Sequence, residues 1–359
     1  MLIVDAHEDI AWNTLTFGRD YTTSAYKIRT AEAAGKTPDH NGSACLGRTQ
    51  WIAGHVGVVF ATLFASPYRR RLGAWDRMCY RNADEAHGLA QTQLDFYRRL
   101  EEQHTEFRII RNRADLYTVT SCWEKETQSD KLIGLVLLME GADPIRTPEE
   151  IARWYERGVR IIGPAWAGTR YCGGTGDPGP LTRVGAALME HMAACNIILD
   201  VSHMSEQSFD QALGRYEGVV IASHANPRYA ADLSTPERAL TDNQIRKLAA
   251  RKGVIGIIPY NRFLKTGWYP AEGKQAVSVR RVAEIMDYIC QLTGSSQHVG
   301  IGSDFDGGFG TEAIPHPMDT VADLNMIGTA LAELGYDSDH VTQMLSGNWL
   351  AALQRGLPD

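Results

Sequence analysis

The chain has 359 residues, 44% of them hydrophobic and 22% charged, and carries a net charge of −7. That is ordinary globular composition, enough for one large α/β domain. The mildly acidic balance, with a pI of about 5.9, excludes a general nucleic-acid binder, and no run reaches the roughly 18 apolar residues of a membrane helix.

The chain opens Met1-Leu2-Ile3-Val4-Asp5, without a basic n-region or a long apolar h-region, so no signal peptide is expected. Residues 2–5 predict a first strand, and His7 and Asp9 follow it. About residues 14–52 form a polar, Gly-punctuated insertion. Further apolar runs predict strands over 56–63, 134–139, 159–162, 197–201, 219–222, 254–258 and 299–301. Near-continuous apolar runs suit parallel strands buried on both faces. Helical patterns lie between them. Ala86, Leu89, Ala90, Leu94, Tyr97 and Leu100 form one apolar stripe. Thr147-Pro148-Glu149-Glu150 reads as an N-cap with a capping-box Glu. Thr241 caps a segment that presents Ile245, Leu248 and Ala249. Arg69-Arg70-Arg71 reads as a solvated loop, and the glycine-rich stretch 172–179 as a flexible loop beside the site. The six cysteines (45, 79, 122, 172, 195, 290) have no C-x-x-C spacing, so reduced thiols and a cytoplasmic location are expected. The tail carries no lipid-anchor signal.

Eight strands alternating with helices predict a (β/α)8 TIM barrel forming a single domain over residues 1–359. The rival is an open doubly wound sheet, but no Gly-rich phosphate fingerprint follows the first strand. In a barrel, residues at strand ends meet at one face. His7, Asp9, Glu140, His203, His224 and Asp304 all occupy such ends. Residues two apart in an extended segment point the same way, so His7 and Asp9 can share one cation. Alone, an H-x-D triplet is weak and Glu140 reads as a cap partner. Two Ser-His pairs, Ser202-His203 and Ser223-His224, at successive strand ends are harder to dismiss. Imidazole and carboxylate ligands suit zinc, with Mn, Fe or Co meeting the same criteria. Two cations about 3.5–4 Å apart can share a water and lower its pKa, and Asp304 is then the candidate proton handler. Neither G-x-S-x-G nor H-E-x-x-H occurs.

Five segments carry a resemblance to a known family. They are Val4-Asp5-Ala6-His7-Glu8-Asp9, Met139-Glu140-Gly141-Ala142, Asp200-Val201-Ser202-His203, Ala222-Ser223-His224 and Ile301-Gly302-Ser303-Asp304-Phe305-Asp306-Gly307. Together they resemble the membrane (renal-type) dipeptidases, binuclear zinc peptidases among the amidohydrolase-like barrels. The resemblance runs nearly end to end. It implies one metal site from His7, Asp9 and Glu140, and a second from His203, His224 and the bridging Glu140. It makes Asp304 the acid/base residue at a metal-bridging hydroxide. It implies dipeptide substrates, some with a C-terminal D-residue, and a homodimer. Arg238, before Ala239-Leu240-Thr241-Asp242, matches the residue that binds the substrate carboxylate; a surface Arg before a helix cap is the plain alternative. Tyr260 matches an aromatic substrate contact, or packs at the barrel rim. One departure stands out: Trp166 occupies the place of a carbonyl-polarising His, and an indole N–H cannot become a cation. A hydrolase of another small amide, such as an N-acyl amino acid, is therefore the nearest rival reading. A metal-binding homologue without catalysis is a more distant one. The interval from His224 to Arg238 is also a few residues long for the family. No membrane or nucleic-acid partner is expected.

Overall fold

The computed structural model describes residues 1–125 and 130–359. Eight parallel strands lie at its centre: β1 Ile3–Glu8, β2 Val56–Phe64, β3 Ile133–Glu140, β4 Val159–Gly163, β5 Ile198–Asp200, β6 Val220–Ile221, β7 Ile255–Ile257 and β8 Val299–Ile301. Each pairs with the next, and β8 pairs back to β1 through Ile301 and Asp5. The β6–β7 seam is closed by the parallel bridge Ala222–Ile255. The result is a closed α/β barrel with its helices outside, as the alternating pattern predicts. All eight apolar runs are strands. The boundaries differ at the site: β1 runs on to Glu8, so His7 lies inside the strand, and Glu140 is the last residue of β3.

Alternation decides what faces where. Val136 and Leu138 point into the barrel with Val4, Val58, Phe60 and Ile161, whereas Leu135, Leu137 and Met139 face the helix layer. The inward row of β3 therefore ends in Glu140, and that of β2 passes through Thr62 to end in Phe64. The opposite end is plugged by the C-terminal helix Asn348–Gly356, whose Trp349 packs edge-on to Phe60 and donates to the Ile301 carbonyl (3.0 Å). A Cβ on Gly300 would lie 2.2 Å from the Trp349 indole nitrogen, so only glycine admits the plug.

The insertion after β1 is helical: Ile10–Phe17, Ala25–Glu32, Thr37–Asn41 and Arg48–Ala53. Its anchor is Asp306, fully buried, which accepts from Tyr21 Oη (2.8 Å) and the Cys45 N–H (2.7 Å) beside Arg19 Nη1 (3.3 Å). Asp306-Gly307 is thus more than a turn. Two local expectations change. The capping box forms at Thr241 with Gln244, but at Thr147 no side-chain cap bond exists and the segment starts as a 3-10 turn. Residues 172–179 are no irregular loop: Cys172–Gly174 and Asp177–Leu181 pair as an antiparallel hairpin.

Candidate metal centre

The parallel strands deliver all six candidate ligand and acid/base residues to the C-terminal mouth of the barrel. Glu140 sits at the centre. Its Oε1 lies 3.0 Å from His203 Nε2 and 3.3 Å from His224 Nε2, and its Oε2 lies 3.6 Å from His7 Nε2. The two imidazole nitrogens are 3.0 Å apart. Atoms bound tetrahedrally about 2.0–2.1 Å from one zinc lie about 3.3 Å from each other, so this trio has the spacing of a shared cation. His7 Nε2 is 3.9 Å from both Asp9 Oδ1 and Asp304 Oδ1. His7 is buried, and neither ring nitrogen has a hydrogen-bond partner among the described residues. An orphaned buried imidazole beside three carboxylates fits a ligand awaiting a cation, because an unsatisfied buried polar atom is otherwise costly.

The electrostatics are those of a compact buried acid–imidazole cluster. Burial opposes charge on His7, but Glu140, Asp9 and Asp304 outweigh it and hold the imidazole up at about 10. Burial likewise opposes charge on Glu140, yet the cationic His7 and the imidazoles at Oε1 keep its carboxyl well below the usual range. Burial pushes Asp9 up to about 6 despite His7 and the hydroxyl of Thr62, which donates to its Oδ1. Burial raises Asp304 to about 8, with His7 opposing the shift and Asp9 adding to it. Burial and the nearby Arg238 lower His203 to about 4. His224 is also lowered well below the ordinary histidine value, by burial first and then the His7 charge. A neutral imidazole is the form that ligates a metal: His203 and His224 are already held in it, whereas at His7 a bound cation would take the place of the proton that the surrounding carboxylates favour.

A cavity of about 300 Å³ opens over this cluster. Arg238 borders it and is buried; Nη1 donates to the His224 carbonyl (2.8 Å), while Nη2 has no hydrogen-bond partner among the described residues and lies 3.9 Å from Asp304 Oδ2. It is therefore a buried guanidinium at the cavity, not a surface Arg. Trp166 also lines the cavity, packed against Phe64 (5.2 Å between ring centroids). Tyr260 is not brought there: it stacks on Phe309 (4.2 Å) and lines an adjoining groove with Trp268.

Several residues at the site escape sequence reasoning. Thr175, at the hairpin tip, meets His203 Nδ1 at 2.9 Å. Arg69 and Arg70 are no free loop, since both grip Asp177 of that hairpin (2.8 Å each), and Arg70 lines the cavity. Trp12 and Phe64 form an aromatic wall, and the buried Trp12 N–H lacks a partner among the described residues. None of these follows a motif; each arrives by a long-range contact. Asp304 has φ +57°, in the left-handed region where Asp is among the tolerated residues. A Cβ on Gly307 would lie 2.1 Å from Asp304 Oδ1. Gly307→Ala should therefore push the carboxylate aside. It is expected to cost about 1–3 kcal/mol of stability, as overpacking does, and to lower kcat. Thermal melts and steady-state kinetics check both effects; an unchanged kcat would mean that the carboxylate position is not critical.

The sequence model for membrane dipeptidase (peptidase family M19) matches residues 1–355. The uncharacterized protein in the pqqA 5′ region of Klebsiella pneumoniae is 31% identical over 239 residues, covering 63% of this chain and 83% of its own. Among solved structures, a dipeptidase described as a family M19 metallopeptidase superposes with a TM-score of 0.79 at 22% identity, covering 100% of this chain and 99% of that one. A metallopeptidase from Rhodobacter sphaeroides, liganded with a phosphinate mimic of the dipeptide L-Ala-D-Ala, superposes with a TM-score of 0.77 at 22% identity, with 99% of each chain covered. At that identity the two superpositions speak for the fold.

Proposed function

This chain belongs to the membrane dipeptidase family, peptidase family M19, and is a metallo-dipeptidase; we propose that it binds two divalent cations, zinc first, and cleaves small dipeptides. The single observation that carries the two-metal reading is Glu140, whose two oxygens face different partners: the His203–His224 pair and His7. His7, Asp9 and Glu140 would hold one ion, and Glu140, His203 and His224 the other. Bound cations supply Lewis acidity, which lowers the pKa of a water and polarises a carbonyl. The protein supplies the rest. Asp304, the acid of the cluster with no role in either ligand set, holds and returns the proton that passes to the departing amine. Arg238 binds the substrate carboxylate through its unpartnered Nη2, a charge-assisted contact that fixes the scissile bond over the cluster. Trp12, Phe64 and Trp166 pack against the substrate side chain. The phosphinate mimic of L-Ala-D-Ala on the Rhodobacter sphaeroides protein supports a dipeptide substrate, and a C-terminal D-residue within its range.

Trp166 favours a second reading. With an indole where the family expects an imidazole, the cavity wall would also suit the acyl group of an N-acyl amino acid. Elemental analysis joined to a panel of L,L- and L,D-dipeptides and N-acyl amino acids tests both. Turnover of dipeptides by protein holding two ions supports the first; turnover of N-acyl amino acids alone replaces it with the second. Arg238→Ala is expected to raise KM by about 10–100-fold, the loss of roughly 1.5–3 kcal/mol from a hydrogen bond to a charged group. A dipeptide amide, lacking the free carboxylate, should be much less affected. Equal effects on acid and amide would remove Arg238 from carboxylate binding.

A further inference from the structure

Behind His224 lies a set of buried side chains that the proposed chemistry does not use. Asp200, the last residue of β5, reaches across to the end of β6. Its Oδ1 accepts from the Ser202 N–H (3.1 Å), Ser202 Oγ (2.6 Å) and the Ser223 N–H (2.9 Å), and its Oδ2 accepts from Ser223 Oγ (2.5 Å). Ser223 Oγ in turn lies 2.8 Å from His224 Nδ1. All of these residues are buried.

We infer that Asp200 and Ser223 are positioning residues that lock His224 in its Nδ1–H tautomer, so that the Nε2 lone pair faces Glu140 and the metal. The inference rests on reading His224 as a ligand, and proton counting carries it. A serine hydroxyl has one hydrogen. The short contact to an ionised carboxylate claims that of Ser223, and Ser202 gives its own to Oδ1. The 3.1 Å contact between the two hydroxyls therefore needs no proton. Ser223 Oγ can then only accept from His224, which places the imidazole hydrogen on Nδ1. His203 has no such lock: Thr175 Oγ1, at 2.9 Å from its Nδ1, can rotate to donate or accept. The barrel thus holds one imidazole of fixed tautomer and one that adapts.

Asp200→Asn separates this role from packing. The amide is isosteric. Its oxygen must take the Oδ1 place, where three donors converge, so its NH2 faces Ser223 Oγ. That turns the serine hydroxyl toward His224 Nδ1 and forces the Nε2–H tautomer, with the lone pair pointing away from Glu140. Long-range 15N–1H NMR of the histidine-labelled full chain before zinc addition, with His224 identified through His224→Gln, should show Nδ1–H in wild type and Nε2–H in Asp200→Asn. Zinc titration against a competing chelator should show one ion bound about 10–100-fold more weakly in Asp200→Asn, the usual scale for losing the partner that orients a ligating His. Ser223→Ala removes the bias without reversing it, so its loss should be smaller. A wild-type Nε2–H tautomer, wild-type zinc affinity in Asp200→Asn, or a larger loss in Ser223→Ala than in Asp200→Asn would each overturn the inference. Failure of the wild type to bind zinc would instead end the metal reading, and the tautomer signal would still decide the relay.

Discussion

Glu140→Gln is expected to leave protein that retains neither of two divalent ions after dialysis and to lower kcat/KM by about 10³–10⁵-fold. The size follows from the chemistry withdrawn. Lewis-acid stabilisation is worth several kcal/mol, and each 1.36 kcal/mol is tenfold in rate. Glutamine keeps the shape of the side chain but offers one acceptor atom and no charge. At this position both failings matter, because Oε1 faces two imidazoles and Oε2 a third. Whichever way the amide turns, its NH2 is directed at imidazole nitrogens that need to point at a cation. Glu140→Asp keeps the charge on a side chain one methylene shorter. It should hold one ion better than the other, which distinguishes a bridging ligand from a merely nearby anion. Elemental analysis and kinetics on the same preparations read both quantities. Two ions retained by Glu140→Gln would remove Glu140 from the bridge.

Asp304→Asn is expected to behave in the opposite sense for metal: both ions stay, and kcat falls by about 10²–10⁴-fold, the usual range for a positioned acid/base group. Two features make the variant clean. The backbone at Asp304 has φ +57°, a conformation that Asn tolerates as Asp does, so the loop should not rearrange. The Asp304 carboxylate is also no closer than 3.9 Å to His7 Nε2 and to Arg238 Nη2, so no short bond is broken by losing the charge. A neutral amide cannot take a proton and return it. Metal content like wild type with lost turnover assigns Asp304 to proton transfer; retained turnover would hand that task to another group.

The ligand-type residues were legible in the sequence for a topological reason. In a parallel barrel every strand ends at the same face, so an apolar run followed by His, Asp or Glu already announces convergence. His203 and His224, one βα unit apart, are the clearest case. What lies behind and around them was not legible. Thr175 reaches His203 because a hairpin folds over the mouth and is gripped by Arg69 and Arg70, and the local pattern at Arg69-Arg70-Arg71 suggests only solvent. Tyr260 sits at a strand end like the others, yet its ring turns to Phe309, because an aromatic ring goes where packing is best and strand position does not dictate its rotamer.

The linear order of residues by itself determined the barrel, its eight strands and the residue types delivered to its mouth, since near-continuous apolar runs and the residues that follow them are local properties of the chain. Tertiary structure alone decided the contact of Thr175 with His203, the burial of Arg238 at the cavity, and the Asp200–Ser223 contact behind His224. These depend on distances across neighbouring strands and loops. Hydrogen bonds and ligand geometries are sensitive to tenths of an ångström, and no spacing along the chain encodes that.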